Sequence, residues 1–155
     1  MRTSKFILSM RRDIKFRGKH VESGEWIIGW LFQDDDDHLP MIHQGGTLDD
    51  WEQVKEDSVG QFTGLHDKNG IEIYEGDIVE QIVTNGYDYG FIGEVSFDNG
   101  VFGIKHKTYK GYIVSSFVYF SDWNDGHAHG TVLYEYEIKG NIYDNPELLA
   151  TRQLR

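Results

Sequence analysis

His127-Ala128-His129, flanked by Gly126 and Gly130, is the stretch whose spacing most resembles a ligand pair. In extended backbone the two imidazoles fall on one side. Such a pair can ligate zinc or nickel, with Asp122 or Asp125 as a third ligand. The spacing alone is unspecific and zinc takes three or four protein ligands, so the stretch reads first as a glycine-rich loop and no metal is expected. Asp34-Asp35-Asp36-Asp37-His38 offers carboxylates to a hard divalent cation. Adjacent residues of an extended chain point in opposite directions, however, and unspaced acidic runs are solvated loops. Asp77 beside Glu75 has the makings of a general base. The simpler reading is that its carboxylate accepts backbone N–H groups at the corner after Gly76, and Asp67 and Asn69 carry the same reading.

Other chemistries are excluded more firmly. The chain has no cysteine, which removes disulfides, thiolate nucleophiles, iron–sulfur clusters and cysteine-ligated zinc. Ser58, Ser96, Ser115, Ser116 and Ser121 lack a Gly-x-Ser-x-Gly context. Neither a Gly-x-x-x-x-Gly-Lys-Ser/Thr loop nor a Gly-x-Gly-x-x-Gly turn is present. No catalytic residue, enzymatic activity or cofactor is therefore expected.

Binding is the chemistry that remains. Lys105, Lys107 and Lys110, interleaved with Tyr109 and Tyr112, form a basic-aromatic patch of the kind that stacks bases and neutralises phosphates. The chain around it is acidic, with a net charge of −11. Residues 1–20 carry seven Lys/Arg against Asp13, so residues 21–155 carry −17. Such a body repels a phosphate backbone, which disfavours nucleic acid as the general partner. The four Trp, nine Tyr and nine Phe fill the core first, and any left exposed can anchor a partner protein.

The elements that position these groups are short strands. Asp13–Arg17 alternates polar and apolar, the period of a half-buried strand. Trp26–Phe32 is nearly continuously apolar and is expected to be buried on both faces. Leu39–Ile42 is a short strand, and residues 44–58 are weakly patterned, with a helical turn around Leu48–Trp51. Strands follow at Val59–Thr63, Asp77–Val83, Gly90–Phe97, Val101–Lys105, Ile113–Val114, Phe117–Phe120 and Tyr134–Tyr143. Asp67-Lys68-Asn69-Gly70, Glu75-Gly76, Asn85-Gly86 and Asp98-Asn99-Gly100 mark turns between them. Asn145 caps free amides and Pro146 takes the first position of a short C-terminal helix.

This pattern predicts a mainly β fold: a small barrel or meander of SH3-like character in the C-terminal half, an N-terminal β-hairpin lobe and a short C-terminal helix. Residues 1–11 form an N-terminal extension and 12–149 a single β domain, with a lobe at 12–65, a barrel lobe at 71–143 and a tail at 150–155. No apolar run approaches the roughly 20 residues of a membrane span, and the first ten residues lack the apolar core of a secretory signal. The expected location is the cytoplasm.

Several blocks carry a family likeness. They are Ile14-Lys15-Phe16-Arg17-Gly18, Glu25-Trp26 with Gly29, Val59 to Leu65 with Asp67-Lys68-Asn69-Gly70, Ile73 to Val79, Phe97 to Gly100, and Gly140-Asn141-Ile142-Tyr143-x-Asn145-Pro146-Glu147-Leu148-Leu149. In this order and spacing, from Arg12 to Leu149, the chain resembles the YopX family of bacteriophage and prophage proteins. Within those blocks Gly60, Gly64, Asp67, Asn69, Gly70, Gly76, Asp77, Asn145 and Pro146 read as structural residues. The resemblance implies a small, mostly β protein of a mobile element in a bacterial host, and it brings no activity, cofactor or catalytic residue. The expected function is a non-enzymatic interaction module that binds a host or phage protein. The alternatives are a nucleic-acid-binding SH3-like barrel or an acidic nucleic-acid mimic, and pairing into a homo-oligomer through edge strands stays open.

Overall fold

The structure, a computed structural model, describes residues 12–33, 36, 39–83, 90–117 and 134–150. Outside the described residues lie the N-terminal extension 1–11, most of the Asp34–His38 run, the Asn85-Gly86 turn, most of the Phe117–Phe120 strand, the His127/His129 pair with Asp122 and Asp125, and the tail beyond Ala150. The chain packs as two compact units, Met1–Gly64 and Leu65–Arg155.

In the first unit β1 (Phe16–Lys19), β2 (Trp26–Phe32), β3 (Met41–His43), β4 (Trp51–Gln53) and the start of β5 (Gly60–His66) form an antiparallel sheet in the order β4-β3-β2-β1-β5. Its core face carries Ile42 and Val54, both fully buried, with Pro40 beside them. Gly18 lies beneath Val54, where a Cβ would come within 2.7 Å of a valine methyl carbon. A 3₁₀ turn at Glu56–Ser58 leads into β5. Ser58 fixes that turn: its hydroxyl donates to the Lys55 carbonyl at 2.6 Å and accepts the Lys19 amide at 2.7 Å.

Two expectations for this unit change. β2 is not buried on both faces, because Ile28, Trp30 and Phe32 are exposed while Ile27, Gly29 and Leu31 are half-buried. An antiparallel sheet with one packed face leaves the other to solvent, and a strand apolar on both sides hides which face is which. Trp51 begins a strand rather than a helical turn, since pairing of Trp51–Gln53 with Met41–His43 outweighs the weak local pattern.

In the second unit β6 (Glu72–Tyr74) turns back along the last residues of β5. The unit's sheet runs β10-β9-β8-β7-β11, from β7 (Asp77–Val83), β8 (Ile92–Asp98), β9 (Val101–Thr108), β10 (Gly111–Ser116) and β11 (Tyr134–Asn141). The last strand therefore lies beside the first of the meander. The fold is mainly β, as the sequence pattern requires, with α1 (Glu147–Ala150) as a single short helix among the described residues. Both sheets are open there: no ladder joins β10 to β11. The core of this unit is Ile73, Val79, Val95, Ile104 and Tyr136, with Leu65, Phe91, Phe117, Tyr134 and Ile138 packed around it.

Polar corners hold the meander together. Asp67, 6% exposed, accepts the amides of Asn69 and Ile71 on one carboxylate oxygen at 2.8 and 3.0 Å. Its other oxygen accepts the Ile138 amide of β11 at 3.2 Å. The adjacent Lys68 amide donates to the Tyr136 carbonyl at 2.8 Å. Tyr136 and Ile138 thus turn their outward backbone groups to the 67–68 turn, next to the register shift that β11 makes against β7 between Ile138 and Gly140. At the next corner Asp77, also buried, accepts the Tyr74 amide at 2.8 Å. Gly76 there has φ +83°, and its amide and carbonyl bond to Val95 and Ile142.

Asn145 departs from its expected role. Its carboxamide oxygen reaches back to accept the Asn141 amide at 3.3 Å, while its backbone carbonyl accepts the Leu148 amide at 3.1 Å. It closes the end of β11 rather than capping free helix amides with its side chain. Gly140 is needed beside it, because a Cβ there would lie 2.4 Å from the Asn145 oxygen.

Replacing Asp67 tests the corner. Asp67→Ala removes the acceptor of three amides, those of the exposed Asn69 and Ile71 and of the half-buried Ile138, and is expected to cost about 2 kcal/mol in denaturant unfolding, with a smaller loss for Asp67→Asn, which keeps one acceptor oxygen.

Candidate interaction surfaces

The carboxylates with chemical promise are committed to backbone. Asp67 and Asp77 are acceptors at corners. Among the described residues no group of three or more His, Asp or Glu side chains is placed to hold a metal ion. Among the described residues no helix is long and apolar enough to cross a membrane.

The five residues of the basic-aromatic patch come together on the β9–β10 hairpin. Tyr112 pairs with Lys107 and Val114 with Lys105, so Lys105, Lys107 and Tyr112 share one face of the sheet. The Lys105 ammonium sits 5.5 Å from the centre of the Tyr112 ring, and that of Lys110 sits 5.4 Å from the Tyr109 ring. Thr108 builds the tip: its hydroxyl donates to the Gly111 carbonyl at 2.8 Å and accepts the Lys110 amide at 3.2 Å. Tyr109 and Tyr112 are 93% and 59% exposed. Glu94 of β8 opposes Lys105 and bounds the patch on that side.

The first unit holds a surface that sequence reasoning missed. Trp30, His43 and Trp51 stand side by side across β2, β3 and β4. Trp30 stacks on His43 with ring centres 5.8 Å apart, and Trp51 lies tilted on the same imidazole at 4.9 Å. Phe32 meets Trp51 edge-on at 6.0 Å. His43 is buried and fixed: its Nε2 donates to the Thr47 carbonyl at 2.7 Å and its Nδ1 accepts the Gly45 amide at 3.2 Å. It is a rigid base for rings that face water, with Trp30 66%, Phe32 47% and Trp51 39% exposed. Along the same face, Arg17 and Lys19 lie over Trp26 at 4.3 and 5.2 Å. The signal was present in Trp26–Phe32, whose two aromatic positions after Trp26 sit two apart, but apolar neighbours masked it.

Two titrating sites lie in the second unit. Glu80 and Glu137 oppose each other across β7 and β11, which alone is unfavourable. Lys139 bridges both, at 3.4 and 2.9 Å, and Lys68 reaches Glu137 at 3.1 Å. Hydrogen bonds from Lys139 and then Lys68 hold the Glu137 carboxyl below its ordinary value, and the bond to Glu137 raises Lys139. His106 is stacked on Phe91 with ring centres 3.8 Å apart, and its Nε2 lies 2.9 Å from the Ser115 hydroxyl. Burial pushes the His106 imidazole below its ordinary 6.5, against a weaker opposing effect of a backbone hydrogen bond at Lys107.

The unfolded chain therefore holds the His106 proton more tightly than the folded one. Stability associated with the neutral ring is fully present above the unfolded value of 6.5 and falls as pH drops from there towards the folded value. Glu137 acts in a lower window: its contribution is present above the unfolded carboxylate value and is lost as pH falls through the depressed folded one. In denaturant titrations at pH 7.5 and 5.5, His106→Phe is expected to lose less stability on acidification than the unsubstituted chain, and an equal loss in both would remove His106 as a cause.

The family model described as YopX protein matches residues 15–150. The chain is also similar to a solved structure, the crystal structure of protein EF1440 from Enterococcus faecalis. That likeness has 24% identity over 90% of this chain and 99% of the other, with a TM-score of 0.49. A search of the curated proteins gave no match. The chain belongs to the YopX family.

Proposed function

We propose that this YopX-family chain is a protein-interaction module without catalytic activity, serving a phage or prophage in the cytoplasm of a bacterial host. The observation that carries this reading is the aromatic group of Trp30, Phe32 and Trp51, set on the buried His43 and turned to solvent. Exposed tryptophans on a rigid sheet are what protein interfaces use as anchors, because they bury a large area and lose little side-chain freedom. The commitment of Asp67 and Asp77 to backbone amides supports a scaffold rather than a reaction centre. The strand order β10-β9-β8-β7-β11, with last beside first, supports SH3-like character in the second unit. The partner is a protein of the host or of the phage.

Affinity capture from nuclease-treated host lysate tests the reading. The unsubstituted chain is expected to retain a stoichiometric protein that Trp30→Ala and Trp51→Ala each release by at least tenfold, consistent with hot-spot losses of about 2 kcal/mol or more. Retention unchanged by both substitutions would place the interface elsewhere. Turnover of a defined substrate, abolished by a single substitution, would overturn the reading altogether.

A further inference from the structure

The β9–β10 hairpin of the second unit is a separate surface with different chemistry. From Ile104 to Phe117 the chain carries Lys105, Lys107 and Lys110 and no carboxylate, in a protein whose net charge is −11. In sequence this run is locally cationic, and across the sheet Glu94 of β8 faces Lys105. The two tyrosines sharpen the point. Tyr109 at the tip is 93% exposed and Tyr112 is 59% exposed, so the first ring is almost wholly in solvent and the second more than half. Each ring has an ammonium over it, 5.4 Å from the ring centre for Tyr109 and 5.5 Å for Tyr112. The register places Lys105, Lys107 and Tyr112 on one face, and the Thr108 hydroxyl bonds fix the turn that presents Tyr109 and Lys110.

We propose that this hairpin is a contact site for single-stranded nucleic acid, in which Tyr109 and Tyr112 stack on bases and Lys105, Lys107 and Lys110 pair with phosphates. The geometry favours a single strand over a duplex. Ring faces held in water stack on bases that are themselves unstacked, which a single strand offers and a duplex does not. The Lys105 and Lys110 ammonium groups lie over the Tyr112 and Tyr109 rings, so a base that stacks on either ring has a cation close by for its phosphate. Glu94, opposite Lys105, limits the contact to the outer part of the hairpin and so to a short stretch of nucleotides. This site goes beyond the protein-binding surface of the first unit and does not depend on it.

Three lysine–phosphate contacts set the salt response. For a single strand the slope of log affinity against log salt is about −0.7 per contact, or roughly −2 in all. Affinity should then fall roughly 20-fold between 50 and 200 mM salt. Removing one stacking ring costs about 1–3 kcal/mol, a loss of at least about fivefold.

The test is fluorescence anisotropy of the intact chain with labelled oligo-dT, in a salt series from 20 to 200 mM, with polyphosphate and a glutamate-rich peptide as competitors. Binding with a slope near −2 is expected. It should weaken at least fivefold in Tyr109→Ala, be retained in Tyr109→Trp and show a flatter slope in Lys107→Gln/Lys110→Gln. Tyr109 is nearly all in solvent, so its substitutions should leave the unfolding midpoint unchanged, which separates lost contact from lost fold. Absence of binding at 20 mM salt would overturn the proposal. So would binding indifferent to Tyr109, or displacement by polyphosphate or the acidic peptide as effective as by unlabelled oligo-dT, since either would make the hairpin a general anion site.

Discussion

The carboxylate of Asp67 holds amides from two stretches of chain far apart in sequence, and the second unit is arranged around that arrangement. One oxygen closes its own turn through Asn69 and Ile71, and the other reaches 71 residues along the chain to Ile138. With the Lys68 amide on the Tyr136 carbonyl, the turn takes the place of a neighbouring strand on the outer edge of β11. Sheet edges normally leave such groups unpaired. Here they are satisfied by a turn held by a carboxylate, by Gly70 at φ +79° and by the backbone bonds of the Asp67 amide to the Ile71 carbonyl and of the Gly70 amide to the Asp67 carbonyl. Tyr136 between those contacts is 1% exposed and central to the core, so the polar corner and the apolar core fix each other's position.

The same device recurs. Asp77 accepts an amide at the corner before β7, Asn141 accepts those of Tyr143 and Asp144, and Asn145 accepts that of Asn141. Asx side chains in these places act as parts of the backbone hydrogen-bond system. That use explains why residues with catalytic potential on paper face inwards to amides in the molecule. The proposed contacts draw instead on rings and ammonium groups at the surface. They lie in two places of distinct chemistry: an aromatic set on His43 in the first unit, and a lysine–tyrosine hairpin in the second.

Much of this was legible in residue type. Asp67, Gly70, Gly76 and Asp77 announce corners because few other residues meet the backbone demands there. The strands from Asp77 to Lys105 follow from alternation and from turns such as Asp98-Asn99-Gly100, whereas the continuation of β9 to Thr108, which brings Lys105, Lys107 and Tyr112 to one face, comes from its pairing with β10. The exposed face of β2 was not legible, because Trp26–Phe32 is apolar on both sides and periodicity cannot say which side is packed. Trp51 gave no strand signal, since its strand has three residues and exists by pairing with β3. Asn145 has the residue type of a helix cap. Its side-chain target was settled by the proximity of Gly140 and the Asn141 amide, which no local pattern encodes.

The central claim is that the Trp30, Phe32 and Trp51 rings face water in the isolated chain in order to be covered by a partner protein. Hydroxyl-radical footprinting measures this directly, on the purified chain and on the chain incubated in nuclease-treated host lysate. Oxidation at these three rings should be strong in the purified chain and fall sharply in the lysate, while Tyr109 stays fully reactive. Equal oxidation of the three rings in both samples, or resistance of Trp30 in the purified chain, would contradict it.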